Sequence, residues 1–121
     1  MLRKKNIRIA LASASNNART ILKKLKGEHY FDYIADPSKI ENGKPAPDIF
    51  LAAANYFNVK PSTCVGIEDA VSGIDAINAA NMFSVGIGDK KILYKANLYF
   101  SSTKVMTYEK IIKTFISELT L

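Results

Sequence analysis

Two rhythms of apolar residues alternate along the chain. Short continuous apolar runs close on small, polar or acidic residues, and between them lie stretches whose apolar positions fall three and four apart. The first rhythm is that of a strand buried on both faces, the second that of an amphipathic helix. Ile7-Arg8-Ile9-Ala10-Leu11-Ala12 reads as a strand that ends in Ser13-Ala14-Ser15-Asn16-Asn17. A helix over about Ala18 to Lys26 follows, with Ile21, Leu22 and Leu25 at core spacing, lysines in its last turn and Gly27 as its stop. Tyr33-Ile34-Ala35 is a second strand, closed by Asp36-Pro37, and a loop runs on from Glu41 to Asp48. Pro47 suits a first helical position and Asp48 the positive first turn, and Phe50, Ala53, Ala54 and Phe57 make one helical face.

Pro61-Ser62-Thr63 leads into a third strand, Cys64 to Ile67, which ends on the adjacent carboxylates Glu68 and Asp69. Val71, Ile74 and Ile77 mark the next helix, with Asn81 as its stop. Phe83 to Gly88 is a strand, Asp89 to Lys95 a polar connection, and Asn97 to Phe100 a short last strand. Thr107 caps a final helix whose apolar stripe is Tyr108, Ile111, Ile112, Phe115 and Leu119. Strands alternating with helices, without repeats or low-complexity segments, predict an α/β fold with a parallel sheet and helices on both faces.

Composition narrows this picture. With 121 residues, 48% hydrophobic and 23% charged, the chain suits one domain with a real core and not a disordered segment. A net charge of +6 admits an anionic partner. The positive residues are scattered, however, apart from Arg3-Lys4-Lys5 and Lys23-Lys24-Lys26, and no alternation of aromatic and basic residues marks a base-stacking surface. Solvated lysines are the simpler reading, and neither nucleic acid nor membrane is expected as a partner. The single cysteine, Cys64, excludes an intrachain disulfide and fits a reducing compartment; its apolar setting suggests a buried filler. The lone His29 reads as a loop residue. No apolar run is long enough to span a bilayer and no signal-peptide core is seen, so a soluble cytoplasmic protein is expected.

Candidate chemistry gathers at strand ends, where open α/β sheets bind their ligands. Ser13 to Asn17 offers hydroxyl and amide groups just before a helix whose first free N–H groups attract anions, although an ordinary N-cap has the same appearance. Lys44 precedes Pro45 and is thereby pushed out of helical geometry, a rigid placement that a phosphate site can use and that an exposed lysine does not need. Glu68 and Asp69 are hard oxygen donors suited to magnesium, or else simply negative charge near a helix N-terminus. Taken together, a hydroxyl, a fixed ammonium and a carboxylate pair suit one task, holding a phosphoryl group against a divalent metal.

The runs Ala10-Leu11-Ala12-Ser13-Ala14-Ser15, Ile34-Ala35-Asp36-Pro37, Lys44-Pro45-Ala46-Pro47-Asp48-Ile49-Phe50 and Gly66-Ile67-Glu68-Asp69 with Gly73-Ile74 resemble, in content and order, the haloacid dehalogenase superfamily, most closely its β-phosphoglucomutase branch. The resemblance implies a three-layer Rossmann-like sandwich around a parallel sheet. It implies that Ser13 hydrogen-bonds the transferring phosphoryl group, that Lys44 balances its charge, and that Glu68 and Asp69 help to hold Mg2+. Ala14, Ser15 and Asn17 fall where such a mutase contacts the second phosphate of a sugar phosphate. The implied reaction interconverts β-glucose 1-phosphate and glucose 6-phosphate through a phospho-aspartate.

One departure is large. The superfamily's first motif, Asp-x-Asp on a central strand, supplies the nucleophile and the acid/base, and no Asp-x-Asp occurs in these 121 residues. The helical cap domain that selects substrate is missing too. The expectation is therefore one partial core domain over residues 1–121, the C-terminal part of such an enzyme, lacking the strand between Ile7–Ala12 and Cys64–Ile67. Such a chain is expected to lack turnover alone and to seek its N-terminal half, or a second copy, at two unpaired strand edges. A phosphatase of the same superfamily and a non-catalytic phosphate-binding or interaction module remain the alternatives. A signalling receiver domain is disfavoured by order, because here the hydroxyl comes first, the lysine second and the acidic pair third.

Overall fold

The computed structural model describes residues 7–13 and 31–119. The helix expected over Ala18 to Lys26, His29 and the candidate residues Ala14, Ser15 and Asn17 lie outside the described residues. Among the described residues five short parallel strands carry the fold: β1 (Ala10–Leu11), β2 (Tyr33–Ile34), β3 (Val65–Glu68), β4 (Phe83–Ile87) and β5 (Leu98–Phe100). Three α-helices accompany them among the described residues, α1 (Asp48–Phe57), α2 (Val71–Ala79) and α3 (Tyr108–Leu119). The strands form two separate sheets, β1 with β2 and β3-β4-β5, all in parallel register. Winding runs from β1 to β2 in one sheet and from β3 through β4 to β5 in the other.

Helix α1 begins one residue later than predicted: Pro47, expected at the first helical position, is its cap, and Asp48 lies in the first turn as expected. It stops at Asn58, which takes the left-handed backbone conformation at φ 55° that an asparagine tolerates. Asn81 does the same after α2 at φ 62°. Ile49, Phe50 and Ala54 of α1 pack with Ala76, Ile77, Ala80 and Met82 from α2 and the turn after it. Ala12, just past β1, and Cys64, just before β3, both rest on this cluster, so the two sheets share one helical layer. Tyr33 of β2 stacks on Tyr56 of α1 with ring centroids 4.3 Å apart, which fastens the smaller sheet to the same layer.

The opposite face belongs to α3. Alternation along β4 sends Phe83 and Val85 toward Phe100, Ile111 and Phe115, while Ser84 and Gly86 face the other way. Ser84 is fully buried yet satisfied: its N–H and hydroxyl donate to Asn97 Oδ1 at 2.8 and 3.1 Å, and its hydroxyl accepts from the Asn97 N–H at 3.0 Å. That exchange holds the connection between β4 and β5 against the sheet. Thr107 Oγ1 accepts from Lys110 N–H at 3.2 Å, the expected cap of α3. The side chains of Tyr108 and Leu119 are outside those described.

The sequence reading is corrected in four places. The first strand is regular only over Ala10–Leu11, because pairing with β2 is limited to that register. The connection after β4 is not simply polar: Leu93 is 3% exposed and packs with Ile74 and Ala96. Val71, assigned to a helix core, is 45% exposed, as is Ile67 on β3. Cys64 is only half-buried, and this desolvation pushes its thiol pKa up against the opposing effect of a Thr63 side-chain hydrogen bond. Among the described residues no helix is long and apolar enough to cross a membrane.

Helix α2 lies very close to β3 because Gly66 has no side chain. A Cβ there would meet Ile77 Cδ1 and Cγ1 at 2.6 Å, and Ile77 is itself fully buried. Gly66→Ala should therefore lower stability by about 1–3 kcal/mol through overpacking, read from the urea midpoint. Ile77→Val in the Gly66→Ala background should recover part of that loss.

Candidate active site

Lys44 is placed by the turn that precedes α1. Gly43 O accepts from Ala46 N–H at 3.0 Å, and Asp48 Oδ2 accepts from both the backbone and the side-chain nitrogen of Asn42 at 3.1 Å. The Lys44–Pro45 peptide is cis. These bonds tie the loop to the first turn of α1 and aim Lys44 at the carboxyl end of β3. There its ammonium meets Glu68 Oε2 at 2.5 Å, with both side chains mostly out of solvent at 17% and 14% exposure. The other side of the ammonium lies over the Phe50 ring, 5.2 Å from its centroid. Lys44 is thus held between an aromatic face and a carboxylate, and sequence reasoning had given Phe50 to the core alone. Nothing in its spacing distinguishes the two roles.

Glu68 and Asp69 act differently. Glu68 Oε1 accepts from the Asp69 backbone N–H at 3.1 Å and Oε2 is taken by Lys44, so this carboxylate is engaged on both oxygens. The Asp69 side chain is exposed. Among the described residues no three His, Cys, Asp or Glu side chains converge as a ready metal cage. Magnesium needs fewer, since one or two carboxylates with water and phosphate oxygens commonly hold it. The donor chemistry therefore fits, with Asp69 as the available ligand and Glu68 as the partner of Lys44.

Ser13 lies half-buried, two residues beyond the end of β1. Glu68 closes β3 and Asp69 follows it. Ser13 and the acidic pair thus sit at the carboxyl ends of the first strands of the two sheets, β1 and β3. That is where open α/β sheets bind ligands. A surface hollow lies elsewhere, against Leu51, Ala54, Asn55 and Val59, and no titratable residue lines it.

Comparison with known proteins bears on this arrangement. The family model for haloacid dehalogenase-like hydrolases matches residues 1–81. The chain belongs to that family. It is 45% identical over 108 residues to a β-phosphoglucomutase of Bacillus subtilis (strain 168), covering 89% of this chain and 48% of the relative. It is also 39% identical over 79 residues to the fructose-1-phosphate phosphatase YqaB of Escherichia coli (strain K12), covering 65% of this chain and 42% of that protein. Among solved structures, a β-phosphoglucomutase from Clostridium difficile superposes with a TM-score of 0.96 at 48% identity, over 99% of this chain and 54% of that one. The fold is accordingly an incomplete haloacid dehalogenase-like α/β sandwich. The chain spans about half the length of the relatives that it matches.

The Lys44–Glu68 contact is shielded enough to matter for stability. Lys44→Ala and Glu68→Ala should each destabilise the chain, and a double-mutant cycle should give a coupling energy above the roughly 0.2–1 kcal/mol of exposed ion pairs.

Proposed function

We propose that this chain supplies the C-terminal part of a magnesium-dependent phosphoryl-transfer site in a sugar-phosphate mutase that interconverts β-glucose 1-phosphate and glucose 6-phosphate. The observation that carries the reading is the Lys44–Glu68 pair at the end of β3, together with 45% identity to a β-phosphoglucomutase. Ser13 donates its hydroxyl to a phosphoryl oxygen. Lys44, oriented by Glu68 and Phe50, places its ammonium beside the same group and offsets the charge that develops on it. Asp69 holds Mg2+, which when bound neutralises phosphoryl oxygens. Ala14, Ser15 and Asn17 serve the second, non-transferring phosphate. The nucleophilic carboxylate comes from a parallel strand outside these 121 residues, in the N-terminal half, and pairs at the inner edges of β1 and β3.

A second reading, a sugar-phosphate phosphatase, is supported by the similarity to the Escherichia coli fructose-1-phosphate phosphatase. The two differ in where the phosphoryl group goes, to a second sugar hydroxyl or to water.

Supplying the N-terminal half in trans tests both. The 121-residue chain alone should turn nothing over, and the mixture should convert β-glucose 1-phosphate to glucose 6-phosphate in a magnesium-dependent way. Release of inorganic phosphate in its place would favour the phosphatase. Lys44→Ala should lower the rate by about 10²–10³-fold, as loss of one fixed charge-stabilising donor does, and a wild-type rate in that variant would overturn the role given to Lys44. Self-association of the chain without any gain on mixing would assign the strand edges to a second copy.

A further inference from the structure

Helix α2 and strand β3 approach through two reciprocal notches. Gly66 on β3 receives Ile77 from α2, and Gly73 on α2 receives Glu68 from β3. The second notch is the tighter. A Cβ on Gly73 would lie 2.1 Å from Glu68 Cδ, 2.2 Å from Cγ and 2.3 Å from Oε2. Those separations are far inside van der Waals contact, so either the helix or the glutamate must yield to any side chain at this position. The helix has no room to move: Ile74, Ala76 and Ile77, which flank Gly73 on the same turn and the next, are fully buried. The glutamate must move, and its Oε2 is the atom that Lys44 holds.

We infer that Gly73 is a positioning residue for the Lys44–Glu68 pair. Its missing side chain is the space in which the Glu68 carboxylate reaches Lys44, and any larger residue there would turn that carboxylate away. The inference concerns the ion pair itself and stands apart from the reaction that the pair serves. Helical propensity alone predicts the opposite effect for Gly73→Ala, since glycine weakens a helix interior relative to alanine. The two effects therefore have opposite signs and separate cleanly.

Thermal melting of the parent and five variants tests this: Gly73→Ala, Glu68→Ala and Lys44→Ala, and Gly73→Ala combined with each of the other two. Gly73→Ala should lower Tm by about 4 °C or more, whereas in the Glu68→Ala background the same substitution should leave Tm unchanged or raise it. Lys44→Ala, costly in the parent, should lose its effect on Tm in the Gly73→Ala background, which a clash unrelated to the ion pair would not produce. If Gly73→Ala does not fold, folding of Gly73→Ala with Glu68→Ala gives the same answer by rescue. Equal cost of Gly73→Ala in both backgrounds, or a full Lys44→Ala effect beside Ala at position 73, would overturn the inference.

Discussion

The site rests on the close approach of α2 to β3. A parallel strand exposes no free face for chemistry along its length, so functional groups collect at its end, and what they can touch depends on how near the following helix comes. Here that distance is set by side chains that are absent. Gly66 lets Ile77 sit directly on the strand, and Gly73 leaves the volume that Glu68 fills. Were α2 held away from β3 by larger residues, Glu68 would no longer be braced against the helix, and Lys44 would lose the carboxylate that orients it.

From that contact the remaining parts follow in sequence. Lys44 comes from a separate loop, stiffened by Pro45 and Pro47 and tied to α1 through Asp48 and Asn42. Its ammonium sits between Phe50 and Glu68, mostly shielded from solvent, where a charge acts more strongly than at an exposed surface. Asp69, one residue on, remains exposed. One carboxylate orients the lysine and its neighbour stays available for a cation, a division of labour that two adjacent acidic residues in a sequence do not reveal.

Much of the fold was legible because each element carries its own local signal. The strand of Cys64 to Ile67 and the helices after Pro47 and Thr107 were found within a residue or so, from apolar period, proline placement and caps. What escaped was set by tertiary packing. Leu93 lies in a stretch with no periodicity, yet it is buried because the loop folds back over Ile74. Phe50 reads as one more core residue, since its spacing is the same whether or not a lysine lies over its ring. Gly73 was legible only as part of a motif, and its steric meaning appears once Glu68 is seen to occupy the space beside it. Ala14, Ser15 and Asn17 lie outside the described residues, so the contact proposed for them with a second phosphate rests on the family resemblance alone.

The organisation into two sheets, β1-β2 and β3-β4-β5, is the feature that most directly connects fold and function, because it puts Ser13 and the acidic pair on strands that do not pair with each other. The central claim is that one further parallel strand, bearing the nucleophile, belongs between them. Amide hydrogen exchange on the 121-residue chain, with and without the N-terminal half, addresses it. Protection should rise at β1 and β3 on mixing while the outer strands β2 and β5 stay as they were. Protection gained at β2 or β5, or no change at β1 and β3 in a mixture that has formed a complex, would contradict it.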